Sequence, residues 1–461
     1  MGTQRKLITH ISIRGLFGLY DYEIPTNGLL SNAAILYGEN GLGKSTLLRL
    51  VFHLLSAAPD RGHRTALENT EFQELSVSLD SKTQVLAKKT RKKSPVDGTS
   101  AQEILTLQII DNGELVAEWE HLKNERLISD YVTYMEDGRL VLMDNLARRR
   151  KREKPGVRYG EKAFLELLTS VAPTLFILNA DRRLESDTIS DAAEEVELRR
   201  SLVHSEPKRG PEIVARSREI ALTQALATTA RWISRRSVMA ANRGSINVRS
   251  VYEDVLQKIG SSSTEAPAPQ EMERLRRLLQ QIDERTKQHA KYDLGAHHPT
   301  QKFLHAVREG SHSAAIAARL LQPYASSLEE RLKAIQPIYE LVERFVTTIN
   351  SMLSDKAVSF KLGDGFLVTN RLGKKLGPNQ LSSGEQQLLL LFCYVLSARD
   401  LPSVFMIDEP ELSLNVKWQR RLVQALLDIT ADASIQFVFA SHSMELLAQH
   451  QRLVVRLGSG E

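Results

Sequence analysis

The sequence predicts an α/β fold of two lobes, a mixed sheet plus an antiparallel meander, split by a helical insertion. Three observations carry this. A short apolar run at 32–37 (NAAILY) ends at a glycine loop and is followed by an amphipathic helix. Between Glu71 and Glu120 the apolar residues recur with a period of two. From about Leu184 to Leu353 the chain turns helical and charged, and short alternating segments return after Val358.

Taken in order, Ile11 to Ile24 alternates apolar and polar positions and reads as strand, as does 32–37. Leu47, Leu48, Val51, Leu54 and Leu55 share one face of a helix that starts at Lys44. In the meander, Leu75, Val77 and Leu79 precede Leu105, Leu107 and Ile109, and Asp111-Asn112-Gly113 is hairpin-turn chemistry before Leu115 to Trp119. In the helical segment Leu332, Ile335, Tyr339, Val342, Val346, Ile349 and Leu353 step alternately by three and four, a heptad, with a less regular partner in Leu275, Leu278, Leu279 and Ile282. Two readings stand side by side: a packed helical subdomain, or a projecting short coiled coil. Pro337 predicts a kink, and Gly260 to Pro269 reads as a loop. The expected division is 1–182, 183–355 and 356–461.

The 461 residues suggest about three structural units. Lys plus Arg number 61 against 56 Asp plus Glu, a net charge of +5 that neither demands nor excludes nucleic acid. The single cysteine, Cys393, excludes a disulfide framework or cysteine metal site within one chain and fits a reducing compartment. It lies in an apolar helix and reads as core. With no apolar run of membrane-spanning length and no signal-like N-terminus, a cytoplasmic protein without a membrane partner is expected.

Gly38-Glu39-Asn40-Gly41-Leu42-Gly43-Lys44-Ser45 matches G-x-x-x-x-G-K-[ST] between a strand and a helix. Glycines let backbone N–H groups curl round phosphate oxygens, and the helix N-terminus adds positive dipole. Gly38, Asn40, Gly41, Gly43, Lys44, Ser45 and Thr46 are therefore the candidate residues for ATP. Lys44 would reach the β- and γ-phosphates, and the Ser45 hydroxyl would ligate Mg²⁺. At 401–410 (LPSVFMIDEP) an apolar strand ends in two carboxylates: Asp408 for Mg²⁺, and Glu409 to orient or deprotonate a water. Ser382, Ser383, Gly384 and Glu385 open a long apolar helix, a place that suits an anion.

The order of elements brings a resemblance. The phosphate loop, then LSSGEQQ, the strand ending in Asp-Glu, Ser413-Leu414-Asn415, and FVFASHS with His442 resemble the ATP-binding cassette (ABC) family in its RecF, SMC and SbcC-like branch. The five motifs cover both ends of the chain and leave out its middle. The resemblance implies an ABC-type P-loop ATPase head. It also implies head-to-tail dimers, or a higher oligomer of dimers, in which Ser383 and Gly384 of one copy meet the γ-phosphate held by Lys44 of another. Glu409 would be the catalytic base and His442 a γ-phosphate sensor, with Asp408 and Ser45 on Mg²⁺ and Ser413 to Asn415 coupling the sites. The family's Q-loop glutamine has no counterpart at Asn179 to Arg183, which follows the strand Leu175 to Leu178.

The runs ISIRGLFGLYDYEIP, ILYGENGLGKSTLL and IDEPELSLNVKWQ look like the stand-alone ATPases of bacterial anti-phage systems, the group around OLD, Gabija, Septu and PARIS. The chain stops 19 residues after His442, so a nuclease is expected as a separate polypeptide. This favours the PARIS-type ATPase subunit first and the Septu-type second, with an effector nuclease (TOPRIM type if PARIS-like) and a phage-encoded trigger as partners. A RecF- or SbcC-like DNA repair ATPase is the alternative, although the insertion is short for that group. A transporter ATPase fits less well, because Lys44 and Leu381 lie much farther apart than in a transporter cassette. The basic tracts 88–93 (KKTRKK) and 148–154 (RRRKREK) read either as solvated loops or as a nucleic-acid contact. His289, His297, His298, His305 and His312 lack the spacing of a metal site.

Overall fold

A computed structural model describes residues 7–59, 61–79, 82–93, 101–121, 132–136, 139–143, 157–179, 184–186, 210–245, 269–295, 300–308 and 312–458. The tract 148–154, residues 180–183, most of the loop 260–269, and His297 and His298 lie outside them. Contacts divide the chain into two compact units, Met1–Pro207 with Ala398–Glu461, and Lys208–Ser397.

In the first unit the mixed sheet has the order β12-β11-β16-β17-β3-β18, from β3 (Ala33–Tyr37), β11 (Thr174–Leu178), β12 (Leu184–Ser186), β16 (Ser403–Asp408), β17 (Ile435–Ser441) and β18 (Val454–Arg456). All pairs are parallel except β11 with β12. Every residue of β16 and β17 is buried, as their unbroken apolar runs require of strands covered on both faces. On one face Phe176 stacks on Phe405 at 4.3 Å between ring centroids. On the other, Ile177, Met406 and Ala440 join a core cluster with Leu47, Leu48 and Val51 of α1 (Lys44–Leu55) and with Ile11, Leu75 and Leu107 of the second sheet. Leu184, expected to begin the helical stretch, instead opens β12.

That second sheet has the order β10-β7-β6-β5-β4-β1-β2. Its strands β4 (Glu74–Leu79), β5 (Thr83–Lys93), β6 (Ala101–Asp111) and β7 (Glu114–His121) form the meander, and β10 (Arg158–Tyr159) closes its edge. Asn112 and Gly113 both have positive φ, as the expected hairpin turn needs. The alternating run Ile11 to Ile24 is two strands rather than one, β1 (Ile8–Leu16) and β2 (Tyr20–Ile24), with Ile11 opposite Ile24. Phe17 and Gly18, at φ 57° and 69°, reverse the chain between them. β8 (Val132–Glu136) and β9 (Arg139–Met143) make a separate hairpin. Short helices α2 (His63–Asn69) and α3 (Glu161–Val171) complete this half of the unit.

In the second unit α4 (Gly210–Ser245), α5 (Pro269–Ala290), α6 (Thr300–Arg308) and α7 (His312–Met352) pack with the three-stranded sheet β13 (Lys356–Lys361), β14 (Gly365–Asn370) and β15 (Lys375–Leu376) and with α8 (Ser383–Ser397). Leu275, Leu279 and Ile282 of α5 share a core with Leu328 and Leu332 of α7. The heptad face is thus buried inside a helical unit, and the helix runs through Pro337. α5 and α6 are antiparallel, Thr300 bonding Asp283 and the Val307 carbonyl accepting from Arg276. β13 to β15 and α8 pack here with the helices. Cys393 is fully buried, as expected, and burial pushes its thiol up to about 12.

Candidate functional site

In the mixed sheet β17 lies between β3 and β16, with Asp408 level with Ala440 and Ser441 level with Tyr37. The glycine loop, the Asp408-Glu409 pair and His442 therefore leave one edge of the sheet side by side. Ligands in such sheets bind at the carboxyl ends of the strands.

The loop's shape depends on two glycines. Gly43 has φ 78° and caps α1, and a Cβ there would lie 2.7 Å from the Leu16 side chain. A Cβ on Gly38 would lie 2.9 Å from the Leu457 carbonyl. Lys44 is buried, and its Nζ donates to the carbonyls of Gly38 (2.6 Å) and Glu39 (2.8 Å). Burial holds its ammonium below the usual lysine range, while Glu409, Asp408 and Glu411 pull the other way.

Ser45 donates from Oγ to Asp408 Oδ1 at 2.7 Å. Asp408 is 2% exposed, and its Oδ2 has no partner among the described residues. A hydroxyl beside a buried carboxylate oxygen lacking a donor is an all-oxygen set that suits Mg²⁺. Burial holds the Asp408 carboxyl above the usual range. Glu409 and Glu411 add to this, while Ser45 and Arg49 oppose it. A carboxyl whose folded pKa is raised binds its proton more readily folded than unfolded. Its stabilising contribution is present at low pH and lost as pH rises through the raised value, so the ionised group is a cost at neutral pH. Asp408→Asn should therefore raise the thermal midpoint of the nucleotide-free protein at pH 7.5, by roughly 2–4 °C per kcal/mol recovered. The gain should shrink as pH falls. Calorimetry at both pH values checks this, and a lowered midpoint at pH 7.5 would refute it.

Glu409 follows at φ 46°, a left-handed conformation costing about 1–2 kcal/mol in a non-glycine residue. Its N–H donates to the Ala440 carbonyl at 2.9 Å. Its Oε1 lies 3.9 Å from His442 Nδ1. A nearer carboxylate, Glu411, went unread in the sequence. Its Oε1 accepts from Ser441 Oγ (2.7 Å) and the His442 N–H (3.0 Å), and lies 3.3 Å from His442 Nδ1. The one available signal was a third carboxylate in IDEPELS. Asn415 caps α9 (Val416–Thr430), its Oδ1 accepting from the Trp418 N–H. Ser443 caps α10 (Met444–Ala448). Thr46 lies in the first turn of α1. Asn40 and Gly41 are exposed at the tip of the loop.

The other candidate residues lie in the second unit. Ser382 and Glu385 form a capping box: Ser382 N–H donates to Glu385 Oε2 (2.7 Å) and Glu385 N–H to Ser382 Oγ (3.3 Å). Lys356 pairs with the same Glu385 oxygen at 2.6 Å. Despite burial, these donors hold the Glu385 carboxyl below its usual range. Both side chains are thus spent on shaping the helix start, and Ser383 stays exposed beside a buried Gly384. At Asn179, where a glutamine was looked for, Nδ2 donates to Glu185. In the tract 88–93, Lys88 pairs with Glu74 and Lys89 donates to the carbonyls of Glu68 and Thr70. His289 is buried against Gln336, and no metal-binding group of three occurs among the described residues.

Residues 258–448 match the family described as "AAA domain, putative AbiEii toxin, Type IV TA system". Over that stretch the chain is similar to this family. The stretch includes Ser382 to Glu385, Asp408, Glu409 and His442, and leaves out the phosphate loop. The lipoprotein-releasing system ATP-binding protein LolD 1 of Rhodospirillum rubrum is 35% identical over 77 residues, 17% of this chain and 33% of that protein. The spermidine/putrescine import ATP-binding protein PotA of Pseudomonas fluorescens is 38% identical over 88 residues, 18% of this chain and 22% of that protein. The chain thus spans a third or less of these relatives. A solved Smc head domain with an extended coiled coil, bound to the C-terminal domain of ScpA, from Pyrococcus furiosus, aligns with 96% of this chain and 91% of its own. Its identity is 11% and its TM-score 0.35. Among the described residues no helix is long and apolar enough to cross a membrane.

Proposed function

We propose that the chain is an ABC-type ATPase that binds ATP with Mg²⁺ and hydrolyses it to ADP and phosphate. The observation that carries this reading is the Ser45–Asp408 contact at the end of the loop that holds Lys44. Lys44, now on the carbonyls of its own loop, would turn to the β- and γ-phosphates, with backbone N–H groups of the loop donating to the same oxygens. Ser45 and Asp408 would hold Mg²⁺, whose charge would offset that on those oxygens. Glu409 takes the proton of the attacking water. His442 stands 3.9 Å from it as the contact to the γ-phosphate. The exposed Ser383 and the first turn of α8 form the complementary face, meeting the phosphate loop of a second copy in a head-to-tail dimer.

Within this reading the chain is the sensor and switch of a bacterial anti-phage complex. It holds a separate effector nuclease and releases or activates it when a phage-encoded trigger arrives. The PARIS-like and Septu-like wording of the motifs supports this, and the matching family's description names a toxin–antitoxin system. Steady-state ATP hydrolysis by the purified protein, with and without DNA ends, tests the choice. Turnover indifferent to DNA ends, with a nuclease copurifying from the native host, is expected. Strong stimulation by ends would overturn the defence reading in favour of repair.

A further inference from the structure

We propose that Glu411 is the positioning residue of His442, fixing the ring so that Nδ1 carries a proton directed at the Glu411 carboxylate and Nε2 is the nitrogen presented outward. The catalytic consequence rests on the ATPase reading above; the placement of the ring does not. One oxygen, Glu411 Oε1, accepts from Ser441 Oγ at 2.7 Å and from the His442 N–H at 3.0 Å, two consecutive residues at the end of β17, and His442 Nδ1 stands 3.3 Å from it as a charge-pair contact rather than a formed hydrogen bond. Glu409 is the only other carboxylate the structure places within 4 Å of that nitrogen among the described residues. It lies farther off, at 3.9 Å, on a more exposed side chain.

The burial of Glu411 separates positioning from a plain structural role. Its side chain is 7% exposed, and its Oε2 has no partner among the described residues. A buried carboxylate with an orphaned oxygen is costly. Anchoring a hydroxyl and a backbone N–H needs only a neutral acceptor such as glutamine. The negative charge gains its advantage at the imidazole, where charge-assisted bonds are shorter and about twice as strong as neutral ones. Which ring nitrogen is protonated is set by the bond the other makes. Contacts of this kind are often long without substrate and tighten when it binds.

The test compares the wild-type protein with Glu411→Gln, His442→Ala and the double variant. Glu411→Gln keeps the Ser441 and His442 N–H bonds, so its thermal midpoint should stay near wild type. Its kcat should fall about 10–100-fold, as when partners that orient a functional histidine are removed elsewhere, with KM for ATP within twofold. The double variant should be no slower than His442→Ala alone. Wild-type kcat in Glu411→Gln, or losses that multiply in the double variant, would overturn the proposal. Ring ¹⁵N shifts give a readout independent of turnover. In the wild type His442 should carry a proton on Nδ1, and Glu411→Gln should shift it towards Nε2. A wild-type His442 with a bare Nδ1 would overturn the proposal without any variant. An inactive wild type with the expected shifts would instead count against the ATPase reading alone.

Discussion

Glu409→Gln is expected to lower ATP turnover by about 10²–10⁴-fold, the usual contribution of a general base, while leaving ATP bound and the dimer trapped. The substitution keeps the shape of the side chain. It also leaves the features that hold the residue in place, its left-handed backbone and the bond from its N–H to Ala440. Folding should survive, and what is lost is the oxygen that takes the proton. Steady-state hydrolysis together with light scattering in ATP measures both halves. Unchanged hydrolysis would remove Glu409 from the base role. Loss of hydrolysis without an ATP-dependent dimer would leave the base role standing and sink the head-to-tail arrangement.

Lys44→Ala is expected to weaken ATP binding about 10–100-fold, from the roughly 1.5–3 kcal/mol carried by a hydrogen bond to a charged group. Its effect on folding should be small by comparison. In the nucleotide-free chain the ammonium is buried, held below its usual pKa by that burial, and bonded, among the described residues, to two carbonyls of its own loop. The signature of the prediction is therefore a large loss of affinity with little change in thermal midpoint. Titration calorimetry and thermal unfolding on the same preparation separate the two. Retained wild-type affinity would contradict the assignment of the phosphate loop.

What could be read in advance followed sequence distance. The glycine loop, the apolar strand before it and the helix after it lie within some twenty residues, and their chemistry is local. The Asn112-Gly113 turn was legible for the same reason, since positive φ at both positions is a property of those residues. Leu184 reads as the start of the helices because a three-residue edge strand is too short to show a period; only its pairing with β11 defines it. Glu411 shows the same limit at the site. Its meaning lies in Ser441 and His442, about thirty residues on, and becomes visible only when β16 and β17 are adjacent. Ser382 and Glu385 were readable as a helix cap, but the Lys356 ion pair that anchors Glu385 comes from another strand.

The position of β3 in its sheet has a consequence for the order of events at the ribosome. β3 ends at Tyr37, yet both of its neighbours, β17 and β18, come only from Ile435 onwards. At synthesis rates of about 5–20 residues per second, this strand waits roughly 20–80 s with both edges open. During that interval the whole of Lys208–Ser397, which forms a compact unit by itself, leaves the exit tunnel. The segment that bears the phosphate loop is thus written long before it is paired. A ribosome stalled before residue 435 should display a folded helical unit beside a phosphate loop still open to protease.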